Sequence, residues 1–121
     1  MAETPRRITT TASMVALYEA TRPLLDALQA VAIVQAARRG HTAVPASTLA
    51  EAGSVFGAVS RVLSREPMVR GLFGMPAELT WAGLLSKLEL ALAAFADFRG
   101  RYGYFDNQFG EFVWRTEGRR A

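Results

Sequence analysis

The sequence predicts an all-α protein, a small bundle of three main helices. Three segments carry apolar residues at helical spacing, and segments containing proline and glycine separate them. The helices are expected at about 12–39, 48–65 and 76–99, followed by a short C-terminal helix or hairpin. Residues 1–10 are predicted to form a basic N-terminal arm, and residues 11–121 a single helical domain.

The first predicted helix begins near Thr11 or Ser13, which are good N-caps, and ends at Gly40. Pro23 lies inside it, but the apolar stripe keeps its phase on both sides of the proline. The segment is therefore expected to be one helix, kinked at Pro23, rather than two. A break at Thr21 is the alternative. The predicted core stripe consists of Met14, Leu17, Thr21, Leu24, Leu28, Val31 and Gln35.

The second helix is expected to open with Thr48 and Glu51, which have the spacing of a capping box, and to end before Pro67. Its predicted core stripe is Leu49, Ala52, Phe56, Val59 and Leu63.

A row of small residues, Gly53, Gly57, Ser60 and Ser64, runs beside that stripe. A glycine inside a helix costs about 1 kcal/mol relative to alanine. The row therefore predicts close approach of another backbone, either from the first helix or from a second copy of the chain.

The connector at residues 67–75 is apolar but interrupted by glycine. We expect it to form a buried plug at one end of the bundle. The alternative is a hydrophobic knob offered to a partner through Met68, Leu72 and Phe73.

The third helix is expected to begin at Pro76, which suits a first helical turn, and to stop at Gly100. Its core stripe should comprise Trp81, Leu84, Leu85, Leu88, Leu92 and Phe95, with Ala91 and Phe98 at its edge.

The segment after the third helix is rich in aromatic residues, and two structures fit it. The favoured one is a short helix capped by Asp106 or Asn107. The other is a hairpin that pairs Tyr102 and Tyr104 with Phe112 and Trp114, and it ranks second because an isolated hairpin is only weakly stable.

Composition argues against catalysis. The chain has no cysteine and one histidine, His41, which is placed in a loop, and no metal-binding, phosphate-binding or nucleophile motif occurs. We therefore expect no enzymatic activity, no metal and no cofactor. The absence of a signal segment or an 18-residue apolar run favours a cytoplasmic location, and the preference for arginine over lysine suggests a high-GC prokaryotic genome.

The leading functional hypothesis is a non-catalytic interaction or assembly subunit, which self-associates or docks on a larger protein complex. Surplus apolar residues motivate it, among them Ile33, Val34, Leu79 and Leu90. The predicted interface residues are Gly53, Gly57, Ser60, Met68, Leu72 and Phe73.

Two alternatives remain open. The net charge of +3 and several arginine pairs fit a helical subunit that contacts nucleic acid without sequence specificity. The residues predicted for that contact are Arg61, Arg65, Arg99, Arg101, Tyr102 and Tyr104. The size also fits a small inhibitor protein of phage or toxin–antitoxin type.

Overall fold

The structure is a computed structural model that describes residues 9–66 and 73–117. Within these residues the chain is mostly helical, and a two-stranded antiparallel sheet follows the last helix. The elements are α1 (Ala12–Arg39), α2 (Ala46–Val62), α3 (Trp81–Tyr102), β1 (Gly103–Asp106) and β2 (Glu111–Trp114). The prediction of three main helices is confirmed, and the all-α class holds apart from this hairpin.

Helix α1 is the central element, because it packs against both α2 and α3. Its core-facing side differs from the predicted stripe. Leu24 and Val31 were expected inside, but both are about half exposed. The helix carries apolar residues on most of its circumference, so the spacing alone fits more than one face. The residues that α1 buries are Tyr18, Thr21, Leu25, Leu28 and Ala32.

The prediction of a single helix through Pro23 is confirmed, because α1 runs unbroken across the proline. Its N-cap is Thr11, whose hydroxyl accepts a hydrogen bond from the Met14 amide at 3.1 Å. Two residues before the proline, the Thr21 hydroxyl donates to the Leu17 carbonyl at 2.6 Å, which satisfies this buried polar group.

Helix α2 begins earlier than expected. It opens at Ala46 after Pro45, whose carbonyl accepts the first helical hydrogen bond from Leu49 at 2.9 Å. Thr48 therefore lies inside the helix, and the predicted capping box is wrong. The predicted core stripe is confirmed at Ala52, Phe56 and Val59, and α2 also buries Val55 and Val62.

Helix α3 begins at Trp81 instead of Pro76. The segment before it is extended, because the Leu79 carbonyl accepts a hydrogen bond from Val44 in the α1–α2 loop at 2.8 Å. Thr80 then caps the helix through a 3.1 Å hydrogen bond from Gly83. Most of the predicted stripe is confirmed, and the buried residues are Trp81, Leu84, Leu88, Ala91, Phe95, Phe98 and Tyr102.

The preferred prediction of a short C-terminal helix is wrong, because residues 103–114 form the hairpin. Helix α3 continues past Gly100 and is followed directly by β1, which begins at Gly103. The register pairs Gly103 with Trp114 and Tyr104 with Val113, which is shifted from the predicted pairing. A Cβ at Gly103 would overlap the Phe112 ring, so the close approach of that ring favours glycine at this position.

The hairpin is stable here because it is not isolated. The Trp114 ring packs against Tyr18 at 5.1 Å and Phe98 at 5.8 Å between centroids, joining the hairpin to the bundle core. The chain before α1 also contributes, since Thr10 accepts a hydrogen bond from the Glu117 amide at 2.6 Å and donates one to the Arg115 carbonyl at 2.9 Å. The part of the predicted N-terminal arm at residues 1–8 lies outside the described residues.

The predicted connector is described only from Phe73 onward. Phe73 is buried and its ring stacks on that of Phe56 with centroids 6.1 Å apart, so this residue belongs to the core rather than to an exposed knob. Met68 and Leu72 lie outside the described residues.

Candidate interaction surface on the outer face of α1

The side of α1 opposite the core carries large aliphatic side chains. Leu24, Val31 and Val34 are 51%, 47% and 49% exposed. The residues around them on the same side are small, apolar and exposed. We call this surface the outer face of α1 and define it as Ala16, Ala20, Pro23, Leu24, Ala27, Ala30, Val31 and Val34.

Helical geometry places these residues together. At 100° per residue, they fall within about 120° of the helix circumference, on the side away from the buried Leu25 and Ala32. Helix α1 is therefore apolar on two sides, and α2 and α3 cover only one of them in the described chain.

Between Ala16 and Val34, the charged side chains of α1 lie outside this face. Arg22 and Asp26 form an ion pair with each other at 3.2 Å, one turn apart. Glu19 accepts a hydrogen bond from the Trp114 indole nitrogen at 3.1 Å and is directed toward the hairpin. No charged residue interrupts the outer face between Ala16 and Val34.

The predicted interface on α2 has a different character. A Cβ built on Gly57 meets nothing within 4 Å, and one on Gly53 meets only the Met75 side chain, at 3.8 Å. Ser60 is exposed. The expected close approach of α1 to this face is therefore wrong for the described residues, and its use by a second copy stays a prediction.

Five of the six residues predicted to contact nucleic acid lie at the hairpin end of the molecule. Two of them form ion pairs: Arg65 with Glu117 at 2.8 Å, and Arg101 with Glu66 at 2.5 Å. A second carboxylate, that of Asp97, lies 3.1 Å from Arg101.

The aromatic and arginine side chains at this end also contact each other. The Arg99 guanidinium lies 3.7 Å from the centre of the Phe112 ring, and that of Arg115 lies 4.9 Å from the centre of Tyr104. These are cation–π distances, and they orient both arginines along the hairpin. Arg61, the sixth predicted residue, is exposed on α2.

Tyr102 links α3 to the end of α2. Its hydroxyl donates a hydrogen bond to the Glu66 carboxylate at 2.5 Å. Burial and this hydrogen bond both favour the neutral phenol, so they raise the pKa of Tyr102 above its ordinary value. The nucleic-acid contact predicted for Tyr102 therefore competes with a structural role.

The described residues contain no group of three or more histidine or acidic side chains placed to hold a metal ion. None of the described helices has an apolar run long enough to cross a bilayer. Comparisons with protein-family models, with curated proteins and with solved structures found no match to this chain.

Sequence reasoning identified Val34 as surplus apolar surface but missed the rest of the outer face of α1, because it assigned Leu24 and Val31 to the core. The signal that identifies this face is in the sequence. Ala20, Leu24, Ala27, Val31 and Val34 alternate between spacings of four and three residues, the heptad spacing of a helix that packs against another helix.

Proposed function

We propose that this protein is a non-catalytic interaction subunit that binds another protein chain through the outer face of α1. One observation carries the proposal: Leu24, Val31 and Val34 form a continuous aliphatic stripe, about half exposed, on a helix whose other side is already in the core. The proposal requires no cofactor, metal or membrane.

The physical reason is the cost of leaving this stripe in water. Single exposed apolar residues are ordinary, but contiguous apolar patches mark interaction sites. Completing the burial of half-exposed leucine and valine side chains is favourable, at about 25 cal/mol per Å² of apolar area. Because the face contains no charge, a protein partner covers it without desolvating an unpaired ion.

The nucleic-acid alternative has weaker support. Binding to phosphates needs available cations, whereas Arg65 and Arg101 are both engaged with carboxylates. The alternative predicts binding of a single-stranded oligonucleotide at low salt that weakens steeply as salt is added. We expect little or no such binding.

Photo-crosslinking in the source cells tests the proposed function. A photoreactive amino acid replaces Val31, and in a control variant it replaces Ile33. The two positions make a matched pair, since they lie on the same helix with exposures of 47% and 51%. Ile33, however, points about 160° away from Val31 around the helix axis.

We expect a discrete crosslinked protein product from position 31 and none from position 33. Equal products from the two positions would indicate unspecific contact. That result, or the absence of any product from position 31, would contradict the proposed function.

A further inference from the structure

We propose that the segment before α3 is a releasable strap, which moves Phe73 away from α2 while the three helices stay folded. The strap is defined as residues 73–78. It is a conformational device within one chain, so the proposal is independent of the proposed function and of the outer face of α1.

Two side chains of the strap contact α2. Phe73 is buried, and its ring lies parallel to that of Phe56, with 5° between the ring planes. Met75 is half-buried, and a Cβ built on Gly53 would lie 3.8 Å from its Cγ atom. The other residues of the strap are exposed: Gly74, Pro76, Ala77 and Glu78.

The strap lies where α2 and α3 do not cover each other. Helix α1 packs against both of them, whereas the backbones of α2 and α3 make few direct contacts. The Phe56 ring of α2 is fully buried, with the Lys87 ammonium of α3 5.9 Å from its centre and Phe73 stacked on it. Release of Phe73 therefore exposes the part of Phe56 on which it stacks.

Backbone hydrogen bonds hold the end of the strap but not the strap itself. Within the described chain, no residue from 73 to 78 makes a backbone hydrogen bond. The first ones follow directly: the Leu79 carbonyl accepts from the Val44 amide at 2.8 Å, and the Trp81 amide donates to the Thr42 carbonyl at 3.1 Å. These bonds fix residues 79–81 to the α1–α2 loop, so the strap rotates about its junction with Leu79.

This attachment makes release easier than unfolding of the bundle. Burial of the Phe73 and Met75 side chains opposes release, but among the described residues no backbone hydrogen bond has to break. Segments with few apolar contacts and few hydrogen bonds open at a lower free energy than the whole domain. Phe95 is the contrasting case, because it is buried within α3 and leaves the core only when that helix does.

Fluorine NMR tests the release directly. The reporter 4-fluorophenylalanine replaces Phe73 in one sample and Phe95 in a control sample, and relaxation dispersion detects minor conformations that form within microseconds to milliseconds. We expect exchange at position 73 with a minor population that urea changes little, since release exposes little surface. At position 95 we expect only the global transition. If position 73 shows no exchange before that shared transition, the strap is overturned.

Two substitutions within the strap test what holds it closed. Met75→Ala should raise the population of the released form by about three- to tenfold, because it removes part of an apolar contact with α2. Glu78→Ala is the matched control, since Glu78 is exposed, and it should leave that population unchanged. Equal effects of the two substitutions, or no effect of Met75→Ala, would contradict the proposed attachment.

Urea denaturation of two further variants provides an independent test. Phe73→Ala cannot lower the stability by more than release of the strap costs, because the variant remains folded with the strap open. Its urea midpoint should therefore fall by less than about half of the fall caused by Phe95→Ala, which leaves a cavity in the core. Equal falls would show that Phe73 is an integral part of the folded bundle and would remove the strap.

Discussion

The outer face of α1 and the exposed side of α2 are opposites. The outer face of α1 carries leucine and valine without charge, whereas the exposed side of α2 carries glycine and serine together with Arg61. Sequence spacing assigned the interface to α2, because glycine four residues from glycine often marks a close helix approach. In the structure, the space beside Gly57 is open, and among the described residues α1 carries four exposed large hydrophobic side chains whereas α2 carries none.

The comparison teaches that a helix face qualifies as an interface only when two conditions hold. The spacing of its residues must permit close packing, and burial of its surface must be favourable in free energy. Glycine and serine permit close approach but offer little apolar area, so burying them gains little. Leu24, Val31 and Val34 offer that area, and the heptad spacing also supplies a geometry. The face of α1 satisfies both conditions, and the face of α2 satisfies only one.

The largest expected effect is a difference in stability loss between substitutions on the two sides of α1. Leu25 is 0% exposed and its neighbour Leu24 is 51% exposed. Leu25→Ala should lower the free energy of unfolding by about 2–5 kcal/mol, because it leaves a cavity in the core. Leu24→Ala should lower it by less than about 1 kcal/mol. Urea denaturation measures both.

These two variants should be compared in the Val31→Glu background, so that association through the outer face of α1 does not contribute to the measured stability. Equal losses at the two positions would mean that Leu24 is also buried in the monomer, and the outer face would no longer be available to a partner.

An intermediate effect comes from Tyr102, which lies away from both faces and serves as a reference. Its folded-state pKa is raised, so the stability that the neutral phenol contributes is complete below about pH 10, the ordinary pKa of tyrosine. That stability is lost as the pH rises through the folded-state pKa. Tyr102→Phe should cost about 1–2 kcal/mol at pH 7 and should reduce the alkaline loss.

Thermal denaturation between pH 7 and pH 11 measures this dependence for the unmodified chain and for the variant. The solution mass of Tyr102→Phe should equal that of the unmodified chain at the same concentration. A change of mass would place the hairpin end in the interface and undermine the comparison between α1 and α2.

The smallest expected effect tests α2 directly. Gly57→Ala should raise the free energy of unfolding by about 0.5–1 kcal/mol, because alanine restricts the unfolded chain and meets nothing within 4 Å. Neither this variant nor the bulkier Gly57→Leu should change the solution mass. If Gly57→Leu dissociated the assembly and Val31→Glu did not, the interface would belong to α2.

By itself, the sequence determined the number of helices, the continuity of α1 through Pro23, the core side of α3 and the N-cap at Thr11. These features depend on local spacing and on hydrogen bonds between residues close in the chain, so they are readable without the fold. The sequence also identified Ile33, Val34 and Leu90 as surplus apolar residues, and all three are exposed, but it did not identify Leu24 and Val31.

Tertiary structure decided the remaining features. It selected which apolar side of α1 enters the core, because α2 and α3 together cover only one. Helix α3 begins at Trp81 because the residues before it pair with the α1–α2 loop. Residues 103–114 form a hairpin because Trp114 packs on Tyr18 and Phe98. Each decision depends on contacts between residues far apart in the chain, which local periodicity does not record.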